Sequence, residues 1–172
     1  VYPVNLEETR EINNQRVTIR PAKPVDERRI QEHFYNLDKD DVVSRFFHEK
    51  SSFFREEVEG IAQIDYVKNL TIVAVVGEFG FGKVVAIGEY LLDPDENMAE
   101  IAFSVSKDWQ RKGLGRILIN KLSVAAKENN IDGFYAYTTR QNQGMIHLVK
   151  RLPYRVETDV DNNVLKLTCK FD

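Results

Sequence analysis

"MAEIAFSVSKDWQRKGLGRILINKL", Met98 to Leu122, decides how this chain is read. Its first part, Met98 to Ser106, is an apolar strand-like run. Its last part is helical: Leu114, Leu118, Leu122 and then Ala125 recur at spacings of four, four and three, one face of an α-helix. Between them lie Gln110, Arg111, Lys112, Gly113, Leu114 and Gly115, with Arg116 following. A helix N-terminus carries unpaired N–H groups and a partial positive charge, so it favours an anion. Glycine lets a ligand approach the backbone closely, and successive N–H groups in such a turn can form a concave anion site. Arg111, Lys112 and Arg116 add positive charge at the same point. From spacing alone, two readings stand: a cradle for a pyrophosphate, or a strand-to-helix turn with solvated basic residues.

Two other phosphate motifs fail. "GEFGFGKV", Gly77 to Val84, satisfies G-x-x-x-x-G-K, but Val84 stands where a metal-binding Ser or Thr is required. The segment also leads into a strand rather than a helix, so a hairpin turn is expected. A dinucleotide fingerprint needs a third glycine at position 118, which is Leu.

Outward from this stretch the pattern is mixed. Residues 1–14 are polar without a sustained period and read as a lead-in or linker. Residues 15–172 read as one domain. "QRVTIRPA" (Gln15–Ala22) alternates as a half-buried strand does. "PVDERRIQEHFYNL" follows as a helix, with Pro24 suited to its first turn, acids Asp26 and Glu27 near its positive end, and an apolar face of Ile30, Phe34 and Leu37. "KDDVVSRFF" and "REEVEGIAQIDYV" predict two further short helices. The period then becomes two. Asn69–Phe79, Lys83–Asp93 and Met98–Ser106 read as three strands of an antiparallel meander. After the glycine segment and its helix come a strand "GFYAYTT", a helix "NQGMIHLVKRL" and a closing hairpin, "RVETDV" and "NVLKLTC" around "DNN". The order β, helices, βββ, α, β, α, ββ predicts one mixed α/β domain around a central sheet.

The bulk composition narrows the function. A chain of 172 residues can bury a core without staples. Its formal net charge of −3 lends no support to a nucleic-acid partner. The single cysteine, Cys169, excludes a disulfide framework and a thiolate metal site, and reads as a small buried residue of a late strand. His33, His48 and His147 show no metal-ligand spacing, so no metal is expected. No apolar run approaches a membrane span. The chain opens on Val1, so the lack of a signal peptide says little; a cytoplasmic location is the expectation.

Gln110-Arg111-Lys112-Gly113-Leu114-Gly115 matches the Q/R-x-x-G-x-G/A motif of the GNAT superfamily of acyl-CoA-dependent N-acetyltransferases, which the order of elements also resembles from Val17 onward. A narrower likeness is carried by "VTIRPAKPVDE", "SRFF", "GEYLLDPDENMAEIAFSVSKDWQRKGLG" and "NQGMIHLVKRL". These resemble the GNAT domain of bacterial protein lysine acetyltransferases, often fused to acyl-CoA synthetase-like or transferase-like regions. The lead-in "YPVNLEE" resembles a segment joining such modules. The resemblance implies a splayed, mostly antiparallel sheet flanked by helices. It implies acetyl-CoA as cosubstrate, its pyrophosphate on the backbone of residues 111 to 116. Its pantetheine arm would pair with the backbone of Phe103, Ser104 and Val105 as an added strand would. Asn142 matches an Asn that family members place near the pantetheine.

Acetyl transfer to an amine needs a neutral nitrogen, and a lysine is neutral only about once in a few thousand molecules at pH 7. A carboxylate can take the proton. Glu100, in the apolar run "MAEIAF", is the candidate, since desolvation there would raise its pKa toward a useful range. The resemblance implies the same role for it. The plain alternative is a solvent-facing residue of an alternating strand. Glu89 is the runner-up, and a backbone N–H near Val105 is the expected donor to the oxyanion. Many GNAT enzymes carry a Tyr seven residues after the Asn; here that position is Val149. A thiol of pKa near 8.5 can leave as thiolate without it. Tyr154 is either a substitute acid or a core residue. Arg45-Phe46-Phe47 either lines the acceptor groove or packs a helix end.

Three functions follow from this reading. The first is transfer of acetyl to a protein lysine. The second is transfer to a small free amine. The third is a non-catalytic domain that senses acyl-CoA for a fused acyl-CoA enzyme.

Overall fold

The computed structural model describes residues 1–40, 65–77 and 82–172. Among them are eight strands: β1 Glu8–Ile12, β2 Gln15–Pro21, β3 Asn69–Val76, β4 Lys83–Asp93, β5 Met98–Val105, β6 Gly133–Thr139, β7 Val156–Asp161 and β8 Val164–Lys170. Three α-helices accompany them: α1 Glu27–Asp40, α2 Leu114–Glu128 and α3 Gln143–Lys150. The strands form one sheet in the order β1-β2-β3-β4-β5-β6-β8-β7. Every pairing is antiparallel except β5 with β6. The expected mixed α/β architecture and the β3-β4-β5 meander are both present.

The sheet buries two faces. Under α2 and α3 lies the larger core, where Leu114, Leu118, Ile119 and Leu122 meet Ile72, Tyr90, Ile101 and Phe134. Burying each such side chain stabilises the fold by about 1.5–3 kcal/mol. Gly88 on β4 admits this packing, because a Cβ there would lie 2.9 Å from the Phe103 ring and 3.0 Å from Leu118. The other face holds Ala22, Val73, Val75, Val84 and Ile87, with Ile30 and Phe34 of α1 packed against them. Arg20 and Asp26 fix the start of α1. The buried guanidinium donates to both carboxylate oxygens, at 2.7 and 2.8 Å, and the Lys23 N–H donates to Asp26 at 2.7 Å.

Residues 8–12, expected as part of a patternless lead-in, instead form the edge strand β1, paired along β2 from Glu8↔Ile19 to Ile12↔Gln15. The reason is that an edge strand needs only backbone partners. Its three central side chains, Thr9, Arg10 and Glu11, are all exposed, so no alternation marks it. Asn13 and Asn14, both at positive φ (56° and 61°), make the hairpin turn, and Lys121 of α2 donates to Glu8 at 2.8 Å. Gly77 and Gly82 belong to the β3–β4 connection, where Val76 pairs Lys83, so the P-loop look-alike is a hairpin connection as expected. The two short helices expected around Lys39–Phe47 and Arg55–Val67 lie almost wholly outside the described residues. So do His48 and Arg45-Phe46-Phe47.

Candidate active site

The site grows from the alternation of β5. The Ser106 N–H donates to the Val85 carbonyl at 2.8 Å and extends the β4–β5 register, in which Ser104 faces Ile87 and Ala102 faces Glu89. In an antiparallel ladder alternate residues turn their polar backbone groups to alternate sides. Ser104 and Ala102 therefore turn theirs to β4, and Phe103 and Val105 turn theirs away from it. On that far side β6 pairs β5 only from Met98↔Gly133 to Glu100↔Tyr135. Beyond Tyr135, β6 continues with β8 alone as far as Thr139↔Val164. The sheet thus opens between β5 and β6, and the N–H and C=O of Phe103 and the N–H of Val105 face the opening. The Val105 carbonyl is already occupied, since Gln110 Nε2 donates to it at 3.0 Å.

That bond ties the glycine turn to the end of the opening. Gly113 is the N-cap of α2 and adopts φ 86°, and Arg111 adopts φ 62°. Both lie in the left-handed region. A Cβ on Gly113 would meet nothing within 4 Å, so what glycine supplies there is its backbone conformation and bare approach from solvent. Leu114 is buried beneath the turn, while Arg111, Lys112 and Arg116 are exposed and make no ion pair among the described residues. Gly115 lies against α3, with Leu148 3.5 Å from where its Cβ would be. Asn142 caps α3 by accepting from the Met145 N–H at 3.1 Å, so this expected ligand residue has a structural task as well.

Glu100 is 2% exposed, which removes the reading of it as a solvent-facing residue. It shares its face of the sheet with α1. On that face Glu89 follows one strand away, opposite Ala102, and accepts from the Thr71 hydroxyl at 3.3 Å. Ser104 also belongs to this face. Its hydroxyl lies 2.8 Å from His33 Nε2, and the Ser106 hydroxyl lies 3.3 Å from His33 Nδ1. One ring nitrogen of a neutral imidazole donates and the other accepts, so a buried His33 can serve both. Of the three residues expected along the pantetheine, Phe103 and Val105 carry the open backbone groups and Ser104 holds the strand to α1. Sequence reasoning missed His33 and the Gln110–Val105 bond. Two serines two apart in an apolar strand were the available signal.

The remaining residues have structural places. Cys169 is buried and its thiol is pushed up to about 11 by burial first and by the charge of Asp172 second. Tyr154 packs edge-on to Phe171 at 5.3 Å, with the Lys127 ammonium 4.6 Å above its ring, as a core residue does. Val149 is 1% exposed. No described helix is long and apolar enough to cross a membrane.

Comparison with known proteins bears on the family and the fold. Residues 31–153 match the acetyltransferase (GNAT) family model, and the chain belongs to that family. Enzymes of this family generally use acetyl-CoA as cosubstrate. An acetyltransferase of Pseudomonas aeruginosa is 26% identical over 88% of this chain and 81% of its own length. The acetyltransferase Pat of Mycolicibacterium smegmatis is 27% identical over 78% of this chain, which spans only 40% of that protein. Among solved structures, the GNAT domain of S. lividans PAT superposes with a TM-score of 0.77 at 21% identity, covering 99% of this chain and 100% of that one. A cAMP-binding acyltransferase from Mycobacterium smegmatis gives 0.65 at 23% identity, with 48% of its length covered.

Proposed function

We propose that this chain transfers the acetyl group of acetyl-CoA to the side-chain amine of a protein lysine by direct attack, with Glu100 as general base. The observation that carries the reading is the opening between β5 and β6, which ends at the glycine turn. The Phe103 N–H and C=O and the Val105 N–H are free to pair with an amide-bearing arm. The N–H groups of residues 111 to 116, with three cationic side chains, suit a pyrophosphate. This donor set fits acetyl-CoA. Glu100 is on the strand that borders the opening, and removing a proton from the amine is chemistry a carboxylate there can do, directly or through a water. The Val105 N–H is held by its strand and by the Gln110 bond on its own carbonyl, so it is pre-oriented as a donor to the oxyanion. One such donor is worth about 10²–10³ in rate. Val149 has no proton to give, so the thiolate leaves without a side-chain acid.

Lysine as acceptor is supported by the likeness to Pat-type acetyltransferases; the partial coverage of the longer relatives supports a further fused region, and its being an acyl-CoA region rests on the resemblance alone. The module proposed for this activity is residues 15–172, with β1 of the lead-in completing the edge of its sheet. Calorimetric titration with acetyl-CoA, using ATP as control, tests the cofactor site. Acetyl-CoA should bind and ATP should not. Gly113→Asp, which adds a negative side chain at a left-handed position, should weaken acetyl-CoA binding at least tenfold. Equal affinity in the variant would remove the cradle.

A further inference from the structure

Resting on the transfer reading proposed above, the geometry points to His33 as the positioning residue of the Val105 N–H, acting through the hydroxyls of Ser104 and Ser106. The imidazole belongs to α1 and the serines to the end of β5, 71 and 73 positions away in sequence. Its Nε2 lies 2.8 Å from the Ser104 hydroxyl, and its Nδ1 lies 3.3 Å from the Ser106 hydroxyl. Both His33 and Ser104 are buried. The two serines flank Val105, so one ring grips the strand on either side of the residue that offers the oxyanion its donor. Among the described residues, neither hydroxyl bonds any other side chain.

The sheet explains why such a grip has a use. From Ile101 to Val105, β5 is paired to β4 on one side, while its pairing with β6 ends at Glu100↔Tyr135. Ladder bonds on one side alone leave the outward backbone groups less firmly aimed. α1 can supply a second restraint because it is anchored independently of β5. Ile30 and Phe34 pack on Val73, Val75, Val84 and Ile87, and the Arg20–Asp26 pair fixes the start of the helix. Ile87 faces Ser104 in the β4–β5 register, so His33 meets β5 from the face on which α1 is already seated. Gln110 holds the Val105 carbonyl from the other direction, at 3.0 Å. The peptide groups before and after Val105 are thus each tied to a side chain. Hydrogen bonds of this kind add little stability over apolar residues of the same shape. What they add here is a fixed aim, and a donor aimed beforehand needs no reorganisation when the oxyanion forms.

The test compares the wild type with His33→Leu, with His33→Gln, with the serine pair Ser104→Ala and Ser106→Ala, and with His33→Leu combined with that pair. Four quantities are read: kcat for a lysine peptide at saturating acetyl-CoA, the Kd of acetyl-CoA, the denaturant midpoint, and the NMR order parameter of the Val105 amide. His33→Leu and the serine pair should each lower kcat about tenfold, a fraction of the 10²–10³ that losing an oxyanion donor costs. The Kd of acetyl-CoA should stay within about twofold, and the Val105 amide should fall below the order parameter of about 0.85 that marks a rigid backbone. His33→Gln, whose amide can still reach the Ser104 hydroxyl, should recover most of kcat. The combined variant separates aim from stability. It leaves neither hydroxyl nor imidazole orphaned, so the midpoint should return toward wild type while kcat stays low. Return of kcat together with the midpoint would make His33 merely structural and overturn the inference. An unmoved kcat in the serine pair would overturn it too, since His33 would not act through these hydroxyls. A loosened Val105 amide in the same variants, with no turnover in the wild type, would uphold the grip and overturn the transfer reading instead.

Discussion

Asp26 and Glu100 are both buried carboxylates; the neighbours of Asp26 fit it to a structural task, whereas Glu100 is the base of the proposed reaction. Burial pushes the Asp26 carboxyl up. The Arg20 hydrogen bond, the Lys23 N–H and the charges of Arg20 and Arg29 outweigh it and hold the group below its usual range. A carboxyl held low when folded adds stability above its unfolded pKa of about 3.9, and that stability is lost as pH falls through the folded value. Acid unfolding should therefore be later in the wild type than in Asp26→Asn. The variant should also lose about 3–5 kcal/mol at neutral pH, because the Arg20 charge stays buried without its carboxylate. Equal denaturant midpoints for the two proteins would refute this. The residue scale was only partly legible. "AEIAF" singled out Glu100, but its near-complete burial depends on strands and helices far away in sequence. His33 meets Ser104 across 71 positions, a contact no local pattern encodes.

Elements with one buried stripe or strong alternation were readable, and β4 even begins and ends where its pattern does, at Lys83 and Asp93. The splay was legible only through the family resemblance, not from the strand residues themselves. Ile101 to Val105 look like any other strand residues, because whether a neighbour is present is decided by the three-residue parallel register of β5 and β6. β1 was missed because its three central side chains are exposed without alternation, while the still more exposed β7 was recognised through the turn around Asn162, which adopts φ 57°. The helix termini carry a testable balance. Asn142→Ala removes the cap on the Met145 N–H and should cost about 0.5–2 kcal/mol, read from chemical denaturation. A loss of acetyl-CoA affinity beyond what that instability explains would show that its carboxamide also meets the pantetheine. An unaltered midpoint would deny the cap.

At the scale of the molecule, one sheet keeps two cores on opposite faces and stays open at one seam between them. Among the described residues, α2 and α3 cover one face, and α1 covers the β2–β5 half of the other. In the proposed reaction the thioester arm enters along β5 and the amine arrives from the Glu100 face, with attack across the plane of the sheet. The chain order of elements foretold the mixed fold, but not that β8 would lie between β6 and β7, because hairpin partners carry no signal of which of them turns inward. The net charge of −3 also gives no hint of where acids gather; that Glu157, Asp159 and Asp161 line one edge strand, β7, appears only once the strands are ordered.

The central claim is lysine acetylation with Glu100 as base. It is tested most directly by the initial rate of lysine-dependent CoA release from acetyl-CoA at neutral pH, in the wild type and in Glu100→Gln, with acetyl-CoA affinity measured alongside. The account predicts that the wild type transfers and that the variant binds acetyl-CoA equally well but turns over about 10²–10⁴ times more slowly. Equal rates in the two proteins would take Glu100 out of the mechanism.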